Sequence, residues 1–210
     1  MCWNEHVSLN TFIFSIFVLL LIMYNNAYTQ YKIQGINNVW IYLFLASFIF
    51  MQLIEFFIWR NINNKFYNHI FSIIATTLLI IQPICSLMLI SQKELRNNLL
   101  IAYLSLAIPY SIYKFSTKNI HTVISKSGHL RWKFFESSPI ILLFWLFFFL
   151  VGLMYNKFWI GFGFGFIILC ISYYNYNNDH TIASMWCWAV NSVMIYYAFY
   201  LLIYLPFYMK

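Results

Sequence analysis

Residues 51 to 59, MQLIEFFIW, put a carboxylic acid inside an apolar run long enough to cross a bilayer. Gln52, Glu55 and Trp59 are spaced i, i+3, i+7, which on a helix stacks them on one face. An acid at that depth is costly against hydrocarbon, so it turns to a bundle interior and either takes a partner or stays protonated. That is the chemistry of a proton-binding or ligand-orienting carboxyl. The structural alternative is a Glu55 that reaches back to the headgroups or pairs with Arg60.

A second set lies in SMWCWAVNS, where Ser184, Cys187 and Asn191 repeat the same spacing and share a polar face. Cys187 as a nucleophile needs a neighbouring base. Interhelical hydrogen bonding, with Trp186 and Trp188 in an interfacial belt, accounts for the same residues without chemistry. A third set is His129, in GHLRW, with Asp179 and His180. Together they approach a His/carboxylate zinc site, but no HExxH or comparable spacing fixes it, and solvated loop histidines are the plainer reading.

The elements that must position these groups follow from composition. With 63% hydrophobic, 23% aromatic and 8% charged residues, the chain cannot present a water-facing surface, and the bilayer is its expected solvent. A net charge of +7 is spread singly through connecting segments and forms no stripe for nucleic acid. Cys2, Cys85, Cys170 and Cys187 are scattered without a CxxC pair, which argues against a disulfide framework or a structural zinc site. Apolar runs cut at charged or Asn-rich breaks fall at about 9–25, 38–59, 66–91, 98–114, 139–155, 158–175 and 183–208. This predicts an all-α integral membrane bundle of seven transmembrane helices in one domain, residues 1–210. The first run follows a segment with Glu5 and no Lys or Arg, so it is expected to be a retained helix rather than a signal peptide.

Within this frame, Gly161 and Gly165 sit four apart in the sixth run, where close packing by a neighbouring backbone is expected. Gln82 and Pro83 predict a kink in the third helix, stabilised by its neighbours. The 115–138 connection is long, and its WKFF stretch is expected at the headgroup interface. Seven crossings put all five histidines on the side of residue 1, here side B, with Glu5, Glu136 and Asp179. Side B also carries seven of the twelve Lys and Arg residues, a slight lean towards a cytoplasmic side B.

The order QLIEFFIW, then IQPI, then SMWCW resembles a family of uncharacterised microbial and viral multi-pass membrane proteins with a Gln-x-x-Glu-x-x-x-Trp element in an early helix and Ser-x-Trp-Cys in the last. The resemblance rests on Gln52, Glu55, Trp59, Pro83, Ser184, Trp186 and Cys187, and implies seven helices and no known activity. Seven-helix zinc hydrolases fit less well because the last helix lacks their HxxxH, and retinal proteins because it has no internal lysine.

The expectation is a non-enzymatic protein in the lipid bilayer, with no cofactor. A polar pocket of Gln52, Glu55, Trp59, Ser184, Cys187 and Asn191, opening towards side B, would sense or move a small solute or a proton. The alternatives are a metal-dependent hydrolase using His129, Asp179 and His180 with Glu55 as general base, and a structural or assembly protein.

Overall fold

A computed structural model describes residues 4–117, 120–136 and 138–208; Cys2, Lys118, Lys210 and part of the 115–138 connection lie outside them. The helices are α1 (Glu5–Tyr28), α2 (Val39–Arg60), α3 (Lys65–Leu87), α4 (Lys93–Thr117), α5 (Pro139–Tyr155) and α6 (Trp159–Tyr176). A broken last segment follows: α7 (Ile182–Val190), α8 (Val193–Phe199), a wide π turn (Tyr200–Tyr204) and α9 (Leu205–Tyr208).

The Asn-rich breaks between apolar runs act as helix caps. Asn4 accepts from the backbone N–H of Val7, Asn38 from that of Trp40, and Asn64 from those of Phe66 and Tyr67. Several helices extend beyond their apolar runs, α1 and α4 at both ends.

Among the described residues six helices are long and apolar enough to cross a membrane. The predicted span at 139–155 is the exception. α5 has 17 residues, about 25 Å of helix against about 30 Å of hydrocarbon.

The last segment is one span of 26 residues, interrupted where the backbone N–H of Asn191 bonds the i−3 carbonyl of Trp188. This releases the Cys187 carbonyl, and Asn191 restores the bond with its own side chain, Nδ2 to O at 2.9 Å.

α2 lies between α1 and α3 and also meets α7; α3 packs on α5; α6 pairs with α7. Aromatic rings fill the centre. Trp145 stacks on Phe149 at 4.9 Å and meets Trp186 edge-on at 5.9 Å, and Phe48 is edge-on to both Phe149 and Trp186. Trp186 is therefore a core residue that donates to the Gly165 carbonyl at 2.9 Å, not a member of an interfacial belt.

Pro83 lies inside the continuous helix α3 and leaves a gap in its hydrogen bonding. With no N–H at Pro83, the carbonyl of Leu79 loses its i+4 donor. Trp145 of α5 supplies one instead, Nε1 to O at 2.8 Å, and Tyr103 of α4 donates to the adjacent Ile80 carbonyl at 2.9 Å.

The glycine that permits close approach is Gly152 of α5. A Cβ there would stand 1.8 Å from the Ser86 carbonyl oxygen of α3, whereas one on Gly165 would meet nothing within 4 Å. The expectation for Gly161 and Gly165 is corrected accordingly. The atoms nearest to a Cβ built on Gly161 belong to the ring of Phe158, one turn before it, not to a neighbouring backbone.

The 115–138 connection folds inward. β1 (Thr122–Ile124) and β2 (Leu130–Trp132) form an antiparallel hairpin pairing Thr122 with Trp132 and Ile124 with Leu130. Its turn uses Gly128 at φ +80°, where a side chain would be strained. Ile120, Thr122, Leu130, Trp132 and Phe134 are all buried, so the WKFF stretch is not laid out on a headgroup surface.

A two-stranded hairpin leaves two unpaired edges, costly beside apolar helices. Asn68 of α3 closes one, its Oδ1 accepting from the Thr122 N–H at 2.9 Å and its Nδ2 donating to the Thr122 carbonyl at 3.0 Å. Ser184 of α7 closes the other, donating to the Leu130 carbonyl at 2.7 Å.

Candidate functional site

Glu55 and Gln52 are both completely buried on the inner face of α2. One turn of helix brings the Gln52 amide over the carboxyl, and Nε2 donates to Glu55 Oε2 at 2.8 Å. Among the described residues the same amide's Oε1 is buried with no protein partner, as is the indole Nε1 of half-buried Trp59.

Arg60 does not serve this acid. It turns outward to Glu5 at 3.6 Å and lies over the Phe56 ring, which anchors the start of α1 to the end of α2.

Opposite Glu55 stands α7. Cys187 is 2% exposed and lies within electrostatic reach of the Glu55 carboxyl. The expected meeting of helices two and seven therefore occurs, with Cys187 on the α7 side of it.

The other members of the predicted pocket have different work. Ser184 is committed to the hairpin through the Leu130 carbonyl, and it also reaches the Thr181 carbonyl at 3.2 Å. The amide nitrogen of Asn191 mends the helix break, and its buried Oδ1 has no protein partner among the described residues.

The picture of an open pocket changes too. None of the six residues lines either of two cavities found among the described residues, a cleft of about 350 Å³ between α3, α4 and α5 and one of about 580 Å³ around Lys32, Lys157 and Tyr200. Glu55 sits in a closed polar contact between α2 and α7, and the hairpin packs on the end of α7 that was expected to be its mouth.

No protein-family profile, curated protein or solved structure matches the chain. What the site can do is therefore argued from its own geometry.

The alternative metal site is not assembled. Among the described residues no three His, Cys, Asp or Glu side chains come together to hold a metal ion, so His129, Asp179 and His180 do not form such a group. His129 is 7% exposed rather than solvated, with its ring edge-on to Tyr176 of α6 at 5.6 Å, while His180 is exposed. Burial of His129 follows from the hairpin, which carries it into the bundle.

Two positions escaped sequence reasoning. Asn68 looked like one asparagine among many, yet it is buried and holds both backbone groups of Thr122. A retrievable signal was its spacing from Ser72, i and i+4 on one helical face, since Ser72 Oγ also reaches the Thr122 hydroxyl at 3.0 Å. Lys114 is 6% exposed, with Nζ 2.9 Å from the Glu136 carbonyl. No pattern local to α4 announces that partner, which lies 22 residues on.

Proposed function

We propose that the chain is a multi-pass, seven-helix integral membrane protein without an enzymatic step, in which the Glu55 carboxyl takes up a proton or orients a small polar solute at the contact of α2 with α7. The observation that carries this reading is a carboxyl with no solvent exposure on the inner face of an apolar helix, five residues before its end at Arg60, held by the Gln52 amide and within electrostatic reach of Cys187. A carboxyl needed only for stability would be cheaper as an amide or an alkyl group of similar size.

Connectivity supports the seventh crossing. α4 ends beside the hairpin, where Lys114 meets Glu136, and α6 also ends there, where Tyr176 meets His129. A tight turn joins α5 to α6, so the short α5 has to traverse the distance that α6 retraces.

The test is Glu55→Gln in proteoliposomes, with folding followed by circular dichroism and proton-coupled uptake by an internal pH dye. Glutamine keeps the shape and the contact with Gln52 while removing the titratable proton. Wild-type folding with lost proton coupling is expected. Wild-type fluxes in the folded variant would remove Glu55 from any role.

A further inference from the structure

The cleft of about 580 Å³ is of the size that holds a small molecule, about 300 to 1,000 Å³. Its walls come from the 29–38 link, the tight turn between α5 and α6, and the stretch of α8 that enters the π turn. No acidic residue lines it, yet two lysines do, Lys32 from the link and Lys157 from the turn. Both are exposed, and among the described residues neither has an ion-pair or hydrogen-bond partner.

Lys157 closes the turn at φ +56°, in the left-handed region where glycine is the ordinary residue after a helix. The chain thus accepts backbone strain at a position that sets a cation in the cleft.

α6 adds the positive end of its backbone dipole. Its first two residues, Trp159 and Ile160, line the cleft, and its N-cap, Phe158, brings no side-chain hydrogen bond to the first-turn N–H groups. An anion is the ordinary partner of such an end.

A buried side chain points the same way, independently of the charges. Tyr197 is 2% exposed and lines the cleft, and its hydroxyl has no hydrogen-bond partner among the described residues. A buried phenol usually has an acceptor, and a bound anion would supply one. Beside it Tyr196 stacks on Tyr200 at 6.2 Å, and Tyr200 opens the π turn, a helical fault frequent at functional sites.

We propose that this cleft binds the phosphate of an organic phosphate ester. Lys32 and Lys157 supply the charge, Tyr197 and the first N–H groups of α6 donate hydrogen bonds, and the paired rings of Tyr196 and Tyr200 cover the organic part. The site is separate from the α2–α7 contact and holds whether or not Glu55 takes up a proton.

The test uses the full chain in micelles of a neutral detergent. Native mass spectrometry counts bound dioleoyl phosphatidic acid, and isothermal titration calorimetry measures glycerol 3-phosphate, which carries the same phosphate without acyl chains. Binding of the lipid alone assigns the phosphate to a headgroup, and binding of glycerol 3-phosphate assigns it to a soluble ester; either result supports the site. Lys32→Gln and Lys157→Gly should each weaken binding about tenfold, the weight of one charge-assisted contact, and Tyr197→Phe should weaken it as well. Glycine suits the backbone at position 157, so Lys157→Gly should keep the wild-type thermal midpoint while losing affinity. Lys93→Gln, which removes an exposed lysine outside the cleft, should change nothing. Failure to bind either compound, wild-type affinity in Lys157→Gly, or an equal loss in Lys93→Gln overturns the proposal and leaves the reading of Glu55 untouched.

Discussion

The bond from Trp145 to the carbonyl freed by Pro83 yields a sharp test of how this bundle is held. Trp145→Phe removes one donor, 2.8 Å from the Leu79 oxygen, and leaves that carbonyl buried without its i+4 partner. Hydrogen bonds between membrane helices average about 0.6 kcal/mol with a maximum near 1.7, and a carbonyl with no second donor belongs at the upper end. The smaller ring also loses part of its stacking on Phe149 and its edge contact with Trp186, about 1 kcal/mol more. The single variant should therefore cost about 2.5 kcal/mol.

Pro83→Ala returns an N–H to position 83, which can reclaim the Leu79 carbonyl within α3. In that background Trp145→Phe should cost only the ring contacts, about 1 kcal/mol. The predicted coupling is the difference, about 1.5 kcal/mol. Reversible unfolding in mixed detergent micelles, followed by circular dichroism for all four proteins of the cycle, measures it. Equal costs of Trp145→Phe in both backgrounds would refute the account of Trp145 as the replacement donor.

Two further predictions concern the hairpin. Asn68→Leu keeps the bulk but removes both bonds to the Thr122 backbone, so it should cost about 1 to 3 kcal/mol and speed hydrogen exchange at residues 120–132 selectively; unchanged exchange there would show the clamp to be idle. Burial pushes the Glu136 carboxyl up, but the Arg131 hydrogen bond and the charges of Arg131 and Lys133 outweigh it and hold it below its ordinary value. A depressed folded-state value means that the stabilisation is complete above the ordinary carboxylate range and is lost as pH falls through the depressed one. Exchange across the hairpin should accordingly rise on acidification below about pH 4, and Glu136→Gln should remove that rise; an identical acid response in the variant would exclude Glu136 as its source.

Much of the architecture is legible in the chain because its apolar runs are long enough to cross a membrane, and a run of that kind is expected to be a helix that satisfies its own backbone. The seven helical segments, the fault at Pro83 and the inward turn of Glu55 all follow from one-dimensional rules of length, missing donors and the cost of a bare carboxyl. The inner face of α2 was likewise marked by the i, i+3 spacing of Gln52 and Glu55, and their hydrogen bond realises it.

What hydropathy cannot weigh is a polar segment whose backbone is satisfied by distant side chains. The 115–138 connection reads as a long linker with WKFF at the headgroup interface, yet Asn68 and Ser184, each 54 residues from its partner, close the hairpin's two edges and draw it into the bundle. That single event buries His129, diverts Ser184 from the Glu55 contact and covers the end of α7 at which an open pocket was expected. The amino-acid sequence alone determined that a carboxyl would be hidden in α2; which groups would face it was decided by tertiary packing, because hydrogen-bond partners across helices depend on approach distances that no local spacing encodes.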